Sequence, residues 1–156
     1  MPGNKNLNEL ISLLKKRGQT IAVAESLTGG YVSYLFTKIP GSSKAFKLGT
    51  VVYSLEAKHK LFKLPLKKLN STQGVSEEIA KILAKGVKAR LNTDFGASIV
   101  GFAGPKAEKN MKGIVFMGLA KKDSVISQKK KLQGERDTVR KKASYALIEF
   151  VLNNIK

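Results

Sequence analysis

The chain has 156 residues, of which 42% are hydrophobic, which is typical of one compact domain with a buried core. Cysteine is absent, which excludes disulfides and thiolate metal sites, and the sequence contains neither a bilayer-spanning stretch nor a signal peptide, so we expect a cytoplasmic protein without a membrane partner. The net charge of +18 attracts polyanions, but the lysines are scattered and not interleaved with aromatic residues, which favours a solubilising surface over specific nucleic-acid binding.

The first third of the chain alternates predicted helices with predicted apolar strands. Apolar side chains at helical spacing predict a first helix that a glycine ends: Leu7, Leu10, Ile11 and Leu14. Two apolar and partly β-branched runs, at 20–24 and 48–54, predict buried strands. Residues 29–43 between them predict a helix that a Pro-Gly pair ends, and residues 56–62 predict a short helix.

The middle of the chain predicts one long helix and a third strand. Ser76 can cap this helix, because two glutamates follow it and favour the positive end of the helix dipole. Asn92 lies where the apolar periodicity stops. Residues 95–104 then predict a buried strand that runs into a loop.

The last third predicts a hairpin followed by a helix. Residues 112–120 and 125–132 form the two arms, and Lys122-Asp123 lies at the turn. The final helix starts near Asp137 and directs five apolar side chains inward: Val139, Ala143, Ala146, Leu147 and Phe150.

This alternation predicts a single α/β domain over residues 1–156, a three-layer α/β/α sandwich with a mixed β-sheet. Ligands of open α/β sheets bind at the carboxyl ends of strands. Three such ends are polar or rich in glycine: "AESLTGG" at 24–30, "VVYSLEAK" at 51–58 and "VGFAGP" at 100–105. We expect them to converge on one pocket.

Hydroxyl groups and lysines are the reactive groups that these segments offer. A lysine whose pKa is lowered by burial can act as the base for a serine nucleophile, and Lys58 is the best candidate because it follows a strand end. The base rate instead favours a surface lysine. Ser26 and Ser43 are equally ambiguous, since either hydroxyl could merely satisfy nearby backbone groups. Gly29-Gly30 could admit an anion to backbone N–H groups or form only a tight turn.

Five segments in this order resemble one known family. They are "AESLTGG", "PGSSKAF", "GTVVYSLEAK", "GVSEEIA" and "GFAGP". The chain is similar over nearly its whole length to the C-terminal domain of the CinA family of competence/damage-inducible proteins, a domain that also occurs alone as nicotinamide mononucleotide deamidase. The resemblance implies hydrolysis of nicotinamide mononucleotide to nicotinate mononucleotide and ammonia by a Ser/Lys pair, without a metal or another cofactor. It also implies a homodimer or a larger homo-oligomer.

The resemblance assigns roles to residues of this sequence. Ser43 is implied as the nucleophile or as a water-orienting hydroxyl, and Lys58 as the base and proton shuttle. Tyr53 is implied to orient Lys58 or to donate to the oxyanion. The remaining implied positions hold substrate, with the arginine on its phosphate: Ser26, Thr28, Gly29, Gly30, Gly101 and Arg136. Which serine acts directly stays open.

The chain departs from the family pattern at two places. Val100 stands where the family usually carries a hydroxyl residue, and the segment 105–112 is shorter and poorer in glycine. These departures keep two alternatives open. One is a CinA-like nucleotide-binding protein that has lost catalysis, and the other is an interaction protein related to competence or DNA damage.

Overall fold

The fold is built around a five-stranded sheet. In chain order the strands are β1 (Ile21–Glu25), β2 (Phe46–Val51), β3 (Phe95–Gly101), β4 (Ile114–Ala120) and β5 (Val125–Lys131). The computed structural model, which describes residues 2–107 and 110–156, orders them β2-β1-β3-β4-β5. Strand β1 pairs in parallel with β2 and β3, whereas β4 pairs antiparallel with β3 and β5. The carboxyl ends of β1, β2 and β3 therefore meet at one edge of the sheet.

Helices cover both faces of the sheet. Within the described residues they are α1 (Pro2–Arg17), α2 (Tyr31–Thr37), α3 (Leu55–Phe62), α4 (Leu66–Thr72), α5 (Glu77–Leu91) and α6 (Arg136–Ile155). Helices α1, α2 and α6 enclose the larger hydrophobic core on one face, and α3, α4 and α5 enclose a second core on the other. None of these helices has the length and apolarity needed to cross a bilayer. The three-layer α/β/α sandwich with a mixed sheet predicted from the sequence is confirmed.

Several predicted boundaries shift in the structure. The helix predicted over 29–43 ends at Thr37, because Pro40 lacks the N–H group that a continuing helix needs. Strand β2 ends at Val51 instead of continuing to residue 54, where Ser54 accepts a hydrogen bond from the Ala57 N–H and caps α3. Helix α4 was not predicted. It begins after Pro65, whose fixed φ and missing N–H suit a helix start.

Helix α5 lies close to the sheet because two strand positions carry no side chain. A Cβ atom on Gly96 would overlap the carbonyl oxygen of Ala84, and one on Gly118 would overlap that of Ala80. Both obstacles are backbone atoms of α5, so no side-chain rotation can relieve the overlap. The packing distance between α5 and the sheet therefore depends on these two glycines.

We predict that Gly96→Ala destabilises the protein by about 1–3 kcal/mol, because α5 must move away from the sheet to admit a methyl group. Urea denaturation measures the change. Ala89→Ser, which adds one atom to an exposed position of the same helix, is the matched control and should cost about 0.5 kcal/mol or less. Equal stability of the two variants would contradict the packing argument.

Candidate active site

A cavity of about 430 Å³ opens at the carboxyl ends of β1, β2 and β3. Its volume lies within the range of about 300–1,000 Å³ that is usual for small-molecule sites. Strand β1 lies between β2 and β3, so the connections that lead to β2 and to β3 run to opposite sides of β1. Ligands of open α/β sheets bind at such a reversal of strand order. The residues predicted from the sequence that line the cavity are Ser26, Tyr53, Lys58, Gly101 and Arg136.

Ser26 and Lys58 form a buried pair at the base of this cavity. The Lys58 Nζ atom lies 3.0 Å from the Ser26 Oγ atom, and the two residues are only 2% and 7% exposed. Ser26 directly follows β1, and Lys58 reaches it from the second turn of α3. The expectation that Lys58 is an ordinary surface lysine is therefore wrong.

Burial changes the protonation of Lys58. Loss of solvation penalises the ammonium form and lowers the pKa of Lys58 from 10.5 to about 8. The neutral amine, which is the form that can accept a proton, is therefore accessible near neutral pH. A serine hydroxyl within hydrogen-bond distance of such an amine is the geometry of an activated nucleophile.

Tyr53 and Arg136 form the rim of the cavity. Arg136, the first residue of α6, donates from Nη2 to the Tyr53 hydroxyl at 2.8 Å and from Nη1 to the Gly104 carbonyl at 2.5 Å. Because the Tyr53 oxygen accepts from Arg136, its own O–H proton stays available for a ligand. Arg136 thus joins the loop after β3 to the segment after β2.

Glu25, the last residue of β1, holds the next segment of the chain in place. Its buried carboxylate accepts hydrogen bonds from the hydroxyls of Thr28 and Ser33, at 2.6 and 2.7 Å, and from three backbone N–H groups. Those N–H groups belong to Gly30, Val32 and Ser33, at 2.8 to 3.0 Å. Two of them are in the first turn of α2, so Glu25 caps this helix from inside the sheet.

The donors predicted to hold substrate, at Thr28, Gly29 and Gly30, instead form hydrogen bonds within the protein. Thr28 is fully buried with its hydroxyl on Glu25, and the Gly30 N–H also donates to Glu25. The Gly29 N–H donates to the carbonyl of Ser26 at 3.0 Å. The two glycines have φ values of 60° and 97°, which only glycine adopts readily. The structure therefore indicates a structural turn rather than an anion cradle.

The structure does not bring Ser43 together with Lys58. Ser43 is exposed in the 3₁₀ turn Ser42–Lys44, which precedes β2, whereas the cavity lies beyond the opposite end of that strand. At about 3.3 Å per residue, the six residues of β2 separate the two ends by roughly 17 Å. The catalytic role of Ser43 stays a prediction that rests on resemblance.

The third strand end carries the two departures from the family pattern. Val100 is fully buried in the core cluster on the α5 side of the sheet. Gly101 lines the cavity, and a Cβ atom there would lie 2.6 Å from a methyl group of Val115. Part of the altered segment 105–112, Glu108 and Lys109, lies outside the described residues.

Sequence analysis missed one residue that supports the site, Arg140. Its Nε and Nη2 atoms donate to the carbonyl oxygens of Leu27 and Thr28, at 3.1 and 3.2 Å. These carbonyls belong to the segment that carries Ser26. The spacing of four residues between Arg136 and Arg140 was the available signal, because it places both side chains on one face of α6.

The sequence of this chain is similar to known protein sequences over nearly its whole length. A family model described as the CinA C-terminal domain matches residues 4–155. A CinA-like protein of Kosmotoga olearia is 38% identical over 152 residues, which is 96% of this chain and 37% of that protein. The chain spans about a third of the length of the curated relatives it matches.

Solved structures share the fold at lower sequence identity. The competence damage-inducible protein A of Klebsiella pneumoniae superimposes with a TM-score of 0.93 at 22% identity, covering 98% of this chain and 96% of that one. The competence/damage inducible protein CihA of Agrobacterium tumefaciens gives 0.91 at 24% identity, with coverage of 98% and 96%. At these identities the similarity concerns the fold alone.

We predict that Glu25→Gln lowers the free energy of unfolding by about 2–4 kcal/mol, because a side-chain NH₂ group would face donors that now bond to a carboxylate oxygen. Thermal or urea denaturation measures this loss. Glu56→Gln, which removes an exposed carboxylate paired with Lys60, is the control and should change stability by about 0.5 kcal/mol or less. A loss at Glu25 no larger than that of the control would show that the capping bonds contribute little.

Proposed function

The chain belongs to the CinA C-terminal domain family, and from that premise we propose that it is an amidohydrolase that converts nicotinamide mononucleotide to nicotinate mononucleotide and ammonia. The observation that carries the proposal is the buried Ser26–Lys58 pair, with 3.0 Å between Oγ and Nζ. Amide hydrolysis needs an activated oxygen nucleophile, a donor for the oxyanion and a proton for the departing amine. Groups in the cavity can meet each of these needs.

In the first half of the reaction, Ser26 would attack the carboxamide carbon. Neutral Lys58 takes the hydroxyl proton as the C–O bond forms, which gives a tetrahedral oxyanion and a lysine ammonium. The ammonium then returns its proton to the amide nitrogen. The C–N bond breaks, ammonia leaves, and an ester links the nicotinate carbonyl to Ser26. Here Ser26 replaces Ser43 as the attacking group, because Ser26 lies within hydrogen-bond reach of the base and Ser43 lies at the far end of β2.

In the second half, water would hydrolyse this ester. Lys58 removes a proton from the water molecule, the resulting hydroxide attacks the carbonyl, and the Lys58 proton returns to the Ser26 oxygen as it leaves. The products are nicotinate mononucleotide and the restored serine. One base, Lys58, thus serves both halves.

Tyr53 and Arg136 would bind the substrate at the rim. The free proton of the Tyr53 hydroxyl can donate to the oxyanion, because its oxygen already accepts from Arg136. The Arg136 guanidinium donates two hydrogen bonds, to Tyr53 and Gly104, and has further N–H groups that can bind a phosphate. Lys106 also lines the cavity and adds positive charge there.

Self-association, which resemblance implies, remains part of this proposal. Strand β2 is at the edge of the sheet, and Val51 and Tyr53 at its end are 45% and 60% exposed. Exposed apolar side chains beside an open strand edge favour contact with a second copy of the chain.

We predict that the purified protein releases ammonia from nicotinamide mononucleotide. We also predict that substitution of the Ser26–Lys58 pair lowers activity far more than substitution of the distant Ser43. Ser26→Ala and Lys58→Ala should each lower kcat by about 10²–10⁴-fold, since each removes one half of the reacting pair. Ser43→Ala should retain activity if Ser26 is the nucleophile. A coupled ammonia assay, checked by chromatography of the nicotinate product, measures all three.

Other outcomes of this assay separate the alternatives. Full activity in Lys58→Ala would rule out this mechanism, and loss of activity in Ser43→Ala alone would return the nucleophile to Ser43. Absence of turnover with calorimetric binding of the substrate would identify a nucleotide-binding protein that has lost catalysis.

The depressed pKa of Lys58 predicts a pH profile. Because the neutral amine is the active form, kcat/KM should rise with pH, inflect near 8 and level above it. Lys58→Arg keeps a positive charge that does not titrate in this range, so its residual activity should lack the inflection. A wild-type profile that stays flat between pH 6 and roughly 9 would show that Lys58 is not the base.

A further inference from the structure

A second concave site lies on the α6 side of the sheet. This groove, of about 680 Å³, is formed by the start of α1, the first residue of α2, the end of β5 and the middle of α6. It shares no lining residue with the candidate active site. It is also the larger of the two, and neither the family resemblance nor the proposed reaction accounts for it.

Aromatic rings form one wall of the groove. Tyr31 and Tyr145 line it, and Tyr34 lies beside Tyr31 with 5.6 Å between ring centroids. The Tyr145 ring lies directly against Gly3, where any Cβ atom would overlap it, and its hydroxyl donates to Asn4 at 3.3 Å. Burial raises the pKa of the Tyr145 phenol, which is therefore uncharged at physiological pH. The wall is therefore a fixed, uncharged stacking surface.

Lysines also line the groove. Of Lys130, Lys141 and Lys142, the first pairs with Glu149 at 3.2 Å and the second with Asp137 at 2.8 Å. The Lys142 ammonium donates to the Gln133 carbonyl at 2.8 Å, a contact that leaves its charge uncompensated. The tertiary fold thus brings Tyr31 of α2 beside Tyr145 and the lysines of α6, which are distant from it in sequence. This combination suits an anion that carries a planar ring.

We propose that this groove binds a nucleoside phosphate, with the base stacked on Tyr31 and Tyr145 and the phosphates held mainly by Lys142. The proposal does not depend on the reaction in the other cavity. A mononucleotide fits the volume of the groove, and the lysines lie at its rim, where phosphates stay partly hydrated.

The four tyrosines of the chain allow a direct test by NMR. Ring-¹³C-labelled tyrosine gives one reporter each for Tyr31, Tyr34 and Tyr145 near the groove and one, Tyr53, in the active-site cavity. Titration with ATP at about 150 mM salt, where exposed charges are screened beyond about 8 Å, should shift Tyr31 and Tyr145. Adenosine should bind more weakly because it lacks the phosphates, and tripolyphosphate should bind more weakly because it lacks the ring.

Charge variants complete the test. Lys142→Gln should weaken ATP binding by about three- to fivefold, whereas Lys122→Gln, which removes the same charge from the exposed β4–β5 turn, should leave it unchanged. Equal weakening in both variants, tripolyphosphate binding as tight as ATP binding, or shifts confined to Tyr53 would each overturn the proposal. Absence of any shift at saturating ATP would also overturn it.

Discussion

The burial of the Glu25 carboxylate is the constraint on which the rest of the site depends. This side chain ends strand β1, which is flanked by β2 and β3, and it has no exposure to water, so its oxygens need protein donors to replace the lost hydration. The donors come from the eight residues that follow, and they can converge on one carboxylate only if the chain turns back sharply. Gly29 and Gly30 provide that turn. Helix α2 then begins at Tyr31, and Ser26, the first residue after β1, lines the cavity.

The first turns of α6 connect the three strand ends that form the cavity. Arg140 bonds to carbonyls that follow β1, and Arg136 bonds to Tyr53 after β2 and to Gly104 after β3. Guanidinium groups suit this task because each presents several N–H donors in a fixed plane. The helix itself is held by its apolar face in the larger core, so hydrophobic packing far from the cavity fixes the arginines. The site is thus an extension of the core and not a set of independent loops.

Sequence patterns predicted the layers of this fold because apolar periodicity reports burial directly. The family resemblance pointed to Ser26, Tyr53, Lys58 and Arg136, which the fold brings to one cavity. The roles of Thr28 and the glycine N–H groups could not be predicted, since a donor near a strand end gives no sign of which acceptor it meets. Ser43 is a different case, because its position before β2 already places it at the amino end of that strand, and its assignment to the site came from the family resemblance. The groove lined by Tyr31 and Tyr145 could not be predicted from the sequence, because its lining residues come from both ends of the chain.

Lys58 is the residue whose presence stability alone does not explain. Ser54 caps α3 and thereby directs Lys58 inward, and a glycine at position 74 leaves room beside its ammonium group. Lowering the pKa from 10.5 to about 8 corresponds to a cost on the order of 3 kcal/mol in folding free energy. That cost is fully present below pH 8, where the buried amine must be protonated, and it disappears as the pH rises toward 10.5. A methionine of similar length would fill the same space without it. The protein instead keeps an ionisable amine whose Nζ atom lies 3.0 Å from the Ser26 Oγ atom, which favours a chemical role for the pair over a purely structural one.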